Sequence, residues 1–396
     1  MAIVKLAEVC EKIGSGATPR GGKEAYCDEG ISLVRSQNVL DFNFSKEGLA
    51  FINDEQAKKL SNVEVHSGDV LLNITGDSVA RACLMDDDYL PARVNQHVAI
   101  IRGNSHKIMN GYVLYYLQWR KEYLLQLASA GATRNALTKA MIEQLELDLP
   151  PLDSQQQIVA ILDSLQSKIQ LNQKINDNLE QQAQSYFQEL FVDNASPEWT
   201  TGTISNLGTV VGGSTPSKAK PEYYTESGIA WITPKDLSIN KSKFVSHGEN
   251  DITELGLKNS SAAIMPEGTV LFSSRAPIGY IAIAAGEVTT NQGFKSVVPK
   301  PEIGTPFVYF FLKNTLPVIE GMASGSTFKE VSGSTMKNVP AVIPDAETLA
   351  KFSDFCAPIF AQQRILEEQN QSLATLRDNL LPKLMSGEID VSAVQL

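Results

Sequence analysis

Residues 154–191 read SQQQIVAILDSLQSKIQLNQKINDNLEQQAQSYFQELF and contain neither Gly nor Pro. Within them Ile158, Leu165, Asn172, Leu179 and Tyr186 recur every seven residues, flanked by Leu162, Ile169, Ala183 and Leu190. A seven-residue period marks a helix that buries one narrow seam against another helix. The same register, shifted by 194, yields Phe352, Ile359, Leu366, Leu373 and Leu380, with Pro358 and Pro382 expected as local breakers. If the two halves of the chain are related by a pseudo-two-fold axis, these helices run oppositely and pair as an antiparallel coiled coil. About 36 residues at ~1.5 Å each give a rod of roughly 54 Å. Asn172 and Asn176, on or beside the seam, are expected to set register at some cost in stability. An ordinary helical linker is the plainer alternative; equal length and phase in both halves favours the rod.

Outward from this stripe the chain is written twice, with a period of about 195 residues. Gly16-Ala17-Thr18-Pro19 returns as Gly213-Ser214-Thr215-Pro216, and Gly30-Ile31-Ser32-Leu33-Val34 as Gly228-Ile229-Ala230-Trp231-Ile232. Ser67-Gly68-Asp69-Val70-Leu71-Leu72 matches Glu267-Gly268-Thr269-Val270-Leu271-Phe272, and Asn95-Gln96-His97-Val98 matches Asn291-Gln292-Gly293-Phe294. Ala130-Gly131-Ala132-Thr133 answers Ser324-Gly325-Ser326-Thr327, and Pro150 answers Pro344. Short β-type runs dominate each half: ISLV, DVLLNI and HVAIIR in the first, GIAWI, GTVLF and IGYIAIA in the second. An amphipathic helix is expected from Gly111 through GYVLYYLQWRKEYLLQLAS. The pattern predicts two α+β domains at residues 1–150 and 197–344, with helical segments at 151–196 and 345–396. Polar loops at 14–22 and 212–220 are where binding residues are expected.

Composition bounds the function. The chain has 396 residues, 43% apolar and 20% charged, which fits packed globular domains. No apolar run reaches a membrane span and the N-terminus lacks a secretory pattern, so a cytoplasmic location is expected. Cys10, Cys27, Cys83 and Cys356 are far apart and read as free thiols. The net charge of −11 is unevenly spread. Residues 1–150 carry 16 Lys and Arg against 19 Asp and Glu, and residues 197–344 carry 12 against 12. The two helical segments hold 2 against 6 and 4 against 8, so the acidity belongs mostly to the helices. A polyanion can approach either globular domain without meeting most of that repulsion.

Catalytic constellations are missing. Gly14-Ser15-Gly16-Ala17-Thr18-Pro19 puts Pro where a dinucleotide loop needs its third Gly, and there is no phosphate-loop or H-E-x-x-H motif. His66, His97, His106 and His247 lack ligand spacing and read as surface or capping residues. Asp86-Asp87-Asp88 reads as a solvated turn, Asp345 and Glu347 near Lys351 lack a nuclease arrangement, and no [ND]-P-P-[YF] methyltransferase tetrad occurs. Two equal domains on a spacer suggest a reader of something bipartite.

These residues together resemble the specificity subunit of type I restriction-modification enzymes over essentially the whole chain. The G-x-T-P loops, the Gly30 to Val34 and Gly228 to Ile232 strands, the G-D/T-V-L strands and the N-Q pairs are similar to that family's target recognition domains. Tyr186 to Phe191 followed by Trp199 resembles the exit from its central region, and Leu380 to Ile389 its C-terminal ending. Leu33 departs from the Trp231 pattern, and Pro358 is expected to interrupt the second helix. The resemblance implies a non-catalytic, DNA-binding chain in which each domain reads half of an interrupted double-stranded target and the helices set the gap. It implies docking of two methylation subunits, with restriction subunits in the full complex. It leaves S-adenosylmethionine, ATP and Mg to those partners, with no cofactor, metal or membrane partner of the chain's own.

Phosphate contacts position while base contacts specify, and domains with different half-sites must differ where they read. Shared Thr18 and Thr215, Asn95-Gln96 and Asn291-Gln292, and Thr133 and Thr327 are therefore expected to be architectural or phosphate-facing. Base readout is expected from Arg20, Lys23, Arg35, Gln37, Asn73, Arg81, Arg93 and Arg134 in the first half. In the second half the expected set is Ser217, Lys218, Lys220, Lys235, Asp236, Ser274, Arg275 and Lys329. A bivalent scaffold for protein partners is the competing class, and its binding would be insensitive to salt. An independent nuclease or methyltransferase would need a site the sequence does not display.

Overall fold

The structure is a computed structural model, and it describes residues 2–21, 25–130, 135–325 and 329–392. The chain divides into two compact units, Met1–Ile169 with Ser372–Leu396, and Gln170–Gln371. Each is an α+β unit that includes parts of both long helices.

In the first unit an antiparallel sheet has the order Cys10–Ser15, Val98–Gly103, Val70–Asn73, Ala82–Leu84. A second sheet has the order Ala50–Ile52, Ile31–Val34, Ala92–Val94, Glu64–Val65, and its central pair is parallel. Strand Ala2–Lys5 pairs with Glu146–Leu149 to close the unit's ends. The second unit repeats this plan with Gly208–Gly212, Lys295–Pro299, Val270–Ser274 and Ile278–Ala284, and it adds a fifth strand, Phe244–Val245. Its other sheet keeps the parallel pair as Ile229–Ile232 with Thr289–Thr290.

Period two explains why the central strands are apolar on both faces. Val70 and Leu72 face the helices of the first unit, whereas Leu71 faces Cys83, Val98 and Ile100 under the second sheet. Val270 and Phe272 face the helices of the second unit, and Leu271 faces Val288 and Phe294. The expected helix from Gly111 is two helices, Asn110–Trp119 and Lys121–Ser129. The first is not amphipathic, because all of Tyr112 to Gln118 is buried. Asp86 accepts the Asp88 N–H at 3.1 Å and the three aspartates are exposed, as a solvated turn requires.

The long helices are Leu152–Gln188 and Ala346–Met385. In the first unit Ile158 and Leu162 share a core with Leu381, Leu384 and Met385, and Arg377 donates to Gln166 at 2.6 Å. In the second, Tyr186 lies 4.4 Å from the Phe355 ring, Gln363 donates to the Asn176 carbonyl at 3.2 Å, and Asn172 donates to Asn370 at 2.9 Å. In both units the numbers rise on one helix as they fall on the other, so the pairing is antiparallel. Ile158, Asn172, Phe352, Ile359 and Leu366 are buried, and Leu165, Leu179, Tyr186, Leu373 and Leu380 are half-buried. The expected breaks at Pro358 and Pro382 do not occur. Both prolines are exposed within the continuous helix, where water can take up the carbonyl that a proline leaves unpaired. No helix among the described residues is long and apolar enough to cross a membrane.

Candidate nucleic-acid interface

The shared motifs of the two halves form one local structure, a glycine loop laid over an Asn-Gln turn. Gly16 N donates to Val98 O at 2.9 Å and Ala17 N to Val94 O at 3.0 Å. A Cβ on Gly16 would collide with the Val94 and Asn95 carbonyls, so only glycine permits this approach. The Asn95 side chain accepts the His97 N–H at 3.0 Å and thereby closes the turn. In the second unit Gly213 lies against the Thr290 and Asn291 carbonyls, Ser214 N donates to Thr290 O at 2.8 Å, and Asn291 accepts the Gly293 N–H at 2.8 Å. The Trp231 indole N–H donates to Ser214 O at 3.0 Å and props the loop, a contact that Leu33 cannot make.

Around this frame the expected readers separate by burial. Asn73, Arg93 and Ser274 are buried, which corrects their assignment to base readout. Asn73 donates to Ser36 O at 2.8 Å and Val39 O at 3.2 Å. Arg93 donates to Ala92 O at 2.9 Å and Ala57 O at 3.2 Å and lies 3.3 Å from the Glu64 carboxylate. Ser274 donates to Gly293 O at 3.1 Å. A buried polar group must find its partners inside the fold; Arg93 and Ser274 have done so, as has the amide nitrogen of Asn73, whose Oδ1 is buried without a hydrogen bond among the described residues.

Arg35 donates to Gly48 O and stacks 5.6 Å over Tyr26, while Gln37 donates to Glu47 O at 3.3 Å and Gly48 O at 3.1 Å. Both side chains tie down the 45–48 loop. Asp236 is a helix cap that accepts from Thr233 N at 2.7 Å and Glu249 N at 2.9 Å. Lys235 pairs with Glu249 at 2.6 Å, which holds its ammonium above the ordinary lysine range. Lys220 donates to the Tyr223 hydroxyl at 3.1 Å, which raises its pKa likewise. Arg275 lies 3.7 Å from Glu330, and Thr215 donates to Gln292. Arg20, Lys218 and Lys329 are exposed and Arg81 is half-exposed; none of the four makes a side-chain hydrogen bond or ion pair among the described residues. Ser217 is exposed and Thr18 half-buried. Lys23 and Arg134, with Thr133 and Thr327, lie outside the described residues.

Sequence reasoning passed over Thr75, His97 and Lys295. The Thr75 hydroxyl and His97 Nδ1 are 2.7 Å apart, and Gln96 Nε2 is 3.3 Å from His97 Nε2. Lys295 donates to Phe294 O at 3.3 Å and Gln292 O at 3.4 Å, and burial lowers its pKa. A signal was available: His97 matches Gly293, and Thr75 matches Arg275, so these positions differ between otherwise matched loops. No group of three or more His, Cys, Asp or Glu able to hold a metal occurs among the described residues.

The family model described as the type I restriction modification DNA specificity domain matches residues 1–181 and again 197–376. The MjaIX specificity subunit of Methanocaldococcus jannaschii is 39% identical over 191 residues, which cover 46% of this chain but only 44% of that subunit. The HindI specificity subunit of Haemophilus influenzae is 23% identical across 91% of this chain and 94% of its own length. A crystal structure of the S subunit of a type I restriction-modification system from M. genitalium shares the fold, with a TM-score of 0.59 and 15% identity over 97% of this chain and 96% of that one. With its loop-over-turn surface built twice and the family pattern matched in both halves, the chain belongs to the type I restriction-modification specificity family.

Proposed function

We propose that the chain reads an interrupted double-stranded DNA target, one half-site for each of the recognition domains at residues 1–150 and 197–344. The carrying observation is that one surface architecture occurs twice around a shared Asn-Gln turn with different polar side chains beside it: Thr75 and His97 on one copy, and Arg275 and Lys295 on the other. A common frame with unlike edges is what two unlike half-sites require. Arg20, Arg81, Lys218 and Lys329 are the candidate phosphate contacts, since their charges are not committed within the described structure.

The helical segments at 151–196 and 345–396 set the gap between half-sites and dock two methylation subunits, with restriction subunits joining in the full complex. Exposed Leu171, Ile175 and Ile365 on the helices of the second unit support a protein partner there, as does Leu376 on a helix of the first. In this reading the chain is non-catalytic, and S-adenosylmethionine, ATP and Mg act on the partners. It works where the DNA is, in the cytoplasm. Co-expression with the methylation subunit and mapping of methylated adenines on a plasmid tests it, with a bipartite motif expected. Absence of any motif, together with binding that ignores salt, would support a protein scaffold instead.

A further inference from the structure

We infer that the glutamine shared by both surfaces, Gln96 and Gln292, determines specificity, because His97 turns its amide one way and Thr215 turns it the other. The inference rests on the reading that these surfaces face DNA. Both glutamines are exposed at the same position of the Asn-Gln turn. In the second unit Thr215 Oγ1 donates to Gln292 Oε1, and the amide NH2 has no hydrogen bond among the described residues. In the first unit Gln96 Nε2 donates to His97 Nε2 at 3.3 Å. The imidazole then carries its proton on Nδ1 and donates it to Thr75 Oγ1 at 2.7 Å, so one neutral tautomer satisfies both contacts. The whole carbonyl Oε1 of Gln96 and the second of its two N–H groups are left over.

Each unit has its own clamp and lacks the other's. Thr18, the counterpart of Thr215, makes no side-chain hydrogen bond among the described residues. Position 293 is glycine, and a Cβ there would lie 3.0 Å from both Pro234 Cγ and Asn291 Oδ1. Ser36 occupies the place of Pro234 in the first unit. An unclamped glutamine offers adenine both an acceptor and a donor. Clamped, Gln96 has spent one of its two N–H groups and keeps its whole carbonyl, which favours an exocyclic amine of adenine or cytosine. Gln292 has spent one lone pair and keeps both N–H groups, which favours guanine O6 and N7 or thymine O4. Residues identical in sequence thus read different bases because their neighbours differ.

The test replaces each amide by an acceptor-only carboxylate in the full chain complexed with its methylation subunit, and compares methylation across all bases at each target position. Gln96→Glu should keep its base preference. Gln292→Glu should lose about tenfold in discrimination at one position of its own half-site. Retained recognition of the opposite half-site shows that each variant is folded. His97→Gly should relax one position of the first half-site only. A bipartite wild-type motif with Gln292→Glu unchanged, or with both glutamate variants affected alike, overturns this inference alone. A wild-type complex that methylates no bipartite sequence overturns both this and the DNA reading.

Discussion

The two units hold the long helices through the same tyrosine and opposite electrostatics. Tyr115 donates to Asp163 at 2.6 Å in the first unit, and its counterpart Tyr309 donates to Glu180 at 3.2 Å in the second. Burial raises the Asp163 pKa. Burial also pushes Glu180 upward, but Lys243 at 2.7 Å and Lys313 at 2.5 Å outweigh it and hold the carboxyl below its ordinary range. Lys243 is only 7% exposed and lies 3.6 Å from the Phe360 ring centroid, with Gln363 accepting at 2.8 Å. In the first unit the cation comes from the helix instead: Arg377 stacks 4.1 Å over Phe42. Duplication kept the donor and the backbone plan, while each copy solved the desolvation of its helix contact with a different arrangement of charge.

This contrast can be broken by mutation. Glu180→Ala strands Lys243 without its anion, and removal of one partner of a buried pair costs about 3–5 kcal/mol. Urea unfolding should show that loss, and hydrogen exchange should confine the lost protection to residues 170–371. A loss spread evenly over both units would contradict a local lock.

A pH series sharpens the same point. Burial pushes the Lys243 amine down to about 8 despite Glu180. A lysine depressed in the folded state binds its proton more weakly there than when unfolded, so its penalty is full below about 8. The penalty is relieved as pH rises from there towards the ordinary lysine value. Stability of the wild type should therefore rise across that window relative to Lys243→Met, and parallel curves for the two proteins would refute the assignment.

In the first unit the effects should be smaller. Arg377→Ala removes the stack on Phe42 and the bond to Gln166, for a loss of about 1–2 kcal/mol in the urea midpoint analysis. Asp163→Asn keeps an acceptor for Tyr115 while removing a charge that burial disfavours. Its change should stay within about 1 kcal/mol, with stabilisation as the expected sign. A loss as large as that of Glu180→Ala would erase the distinction between the two contacts.

Much of the fold was legible in local pattern. The runs ISLV and IGYIAIA are the strands Ile31–Val34 and Ile278–Ala284 residue for residue, and the seven-residue stripe marks the buried faces of both long helices. Prolines 358 and 382 misled because sequence shows the missing N–H but not which side of the helix faces water. The surface was less legible. Asn73, Arg93 and Ser274 look like readers in a loop alignment and are buried in the fold, whereas His97 looked incidental and sits against Gln96 and Thr75.

By itself the sequence determined the duplication, the two helices, their seam and the glycines of the loops. Each of these depends on periodicity or on the steric needs of a single position. Only the tertiary structure decided which polar groups are spent inside, how Lys243 meets Glu180 across 63 positions of chain, and which end of each shared glutamine is engaged. Burial and hydrogen-bond partnership depend on distances between remote segments, and no local pattern encodes those distances.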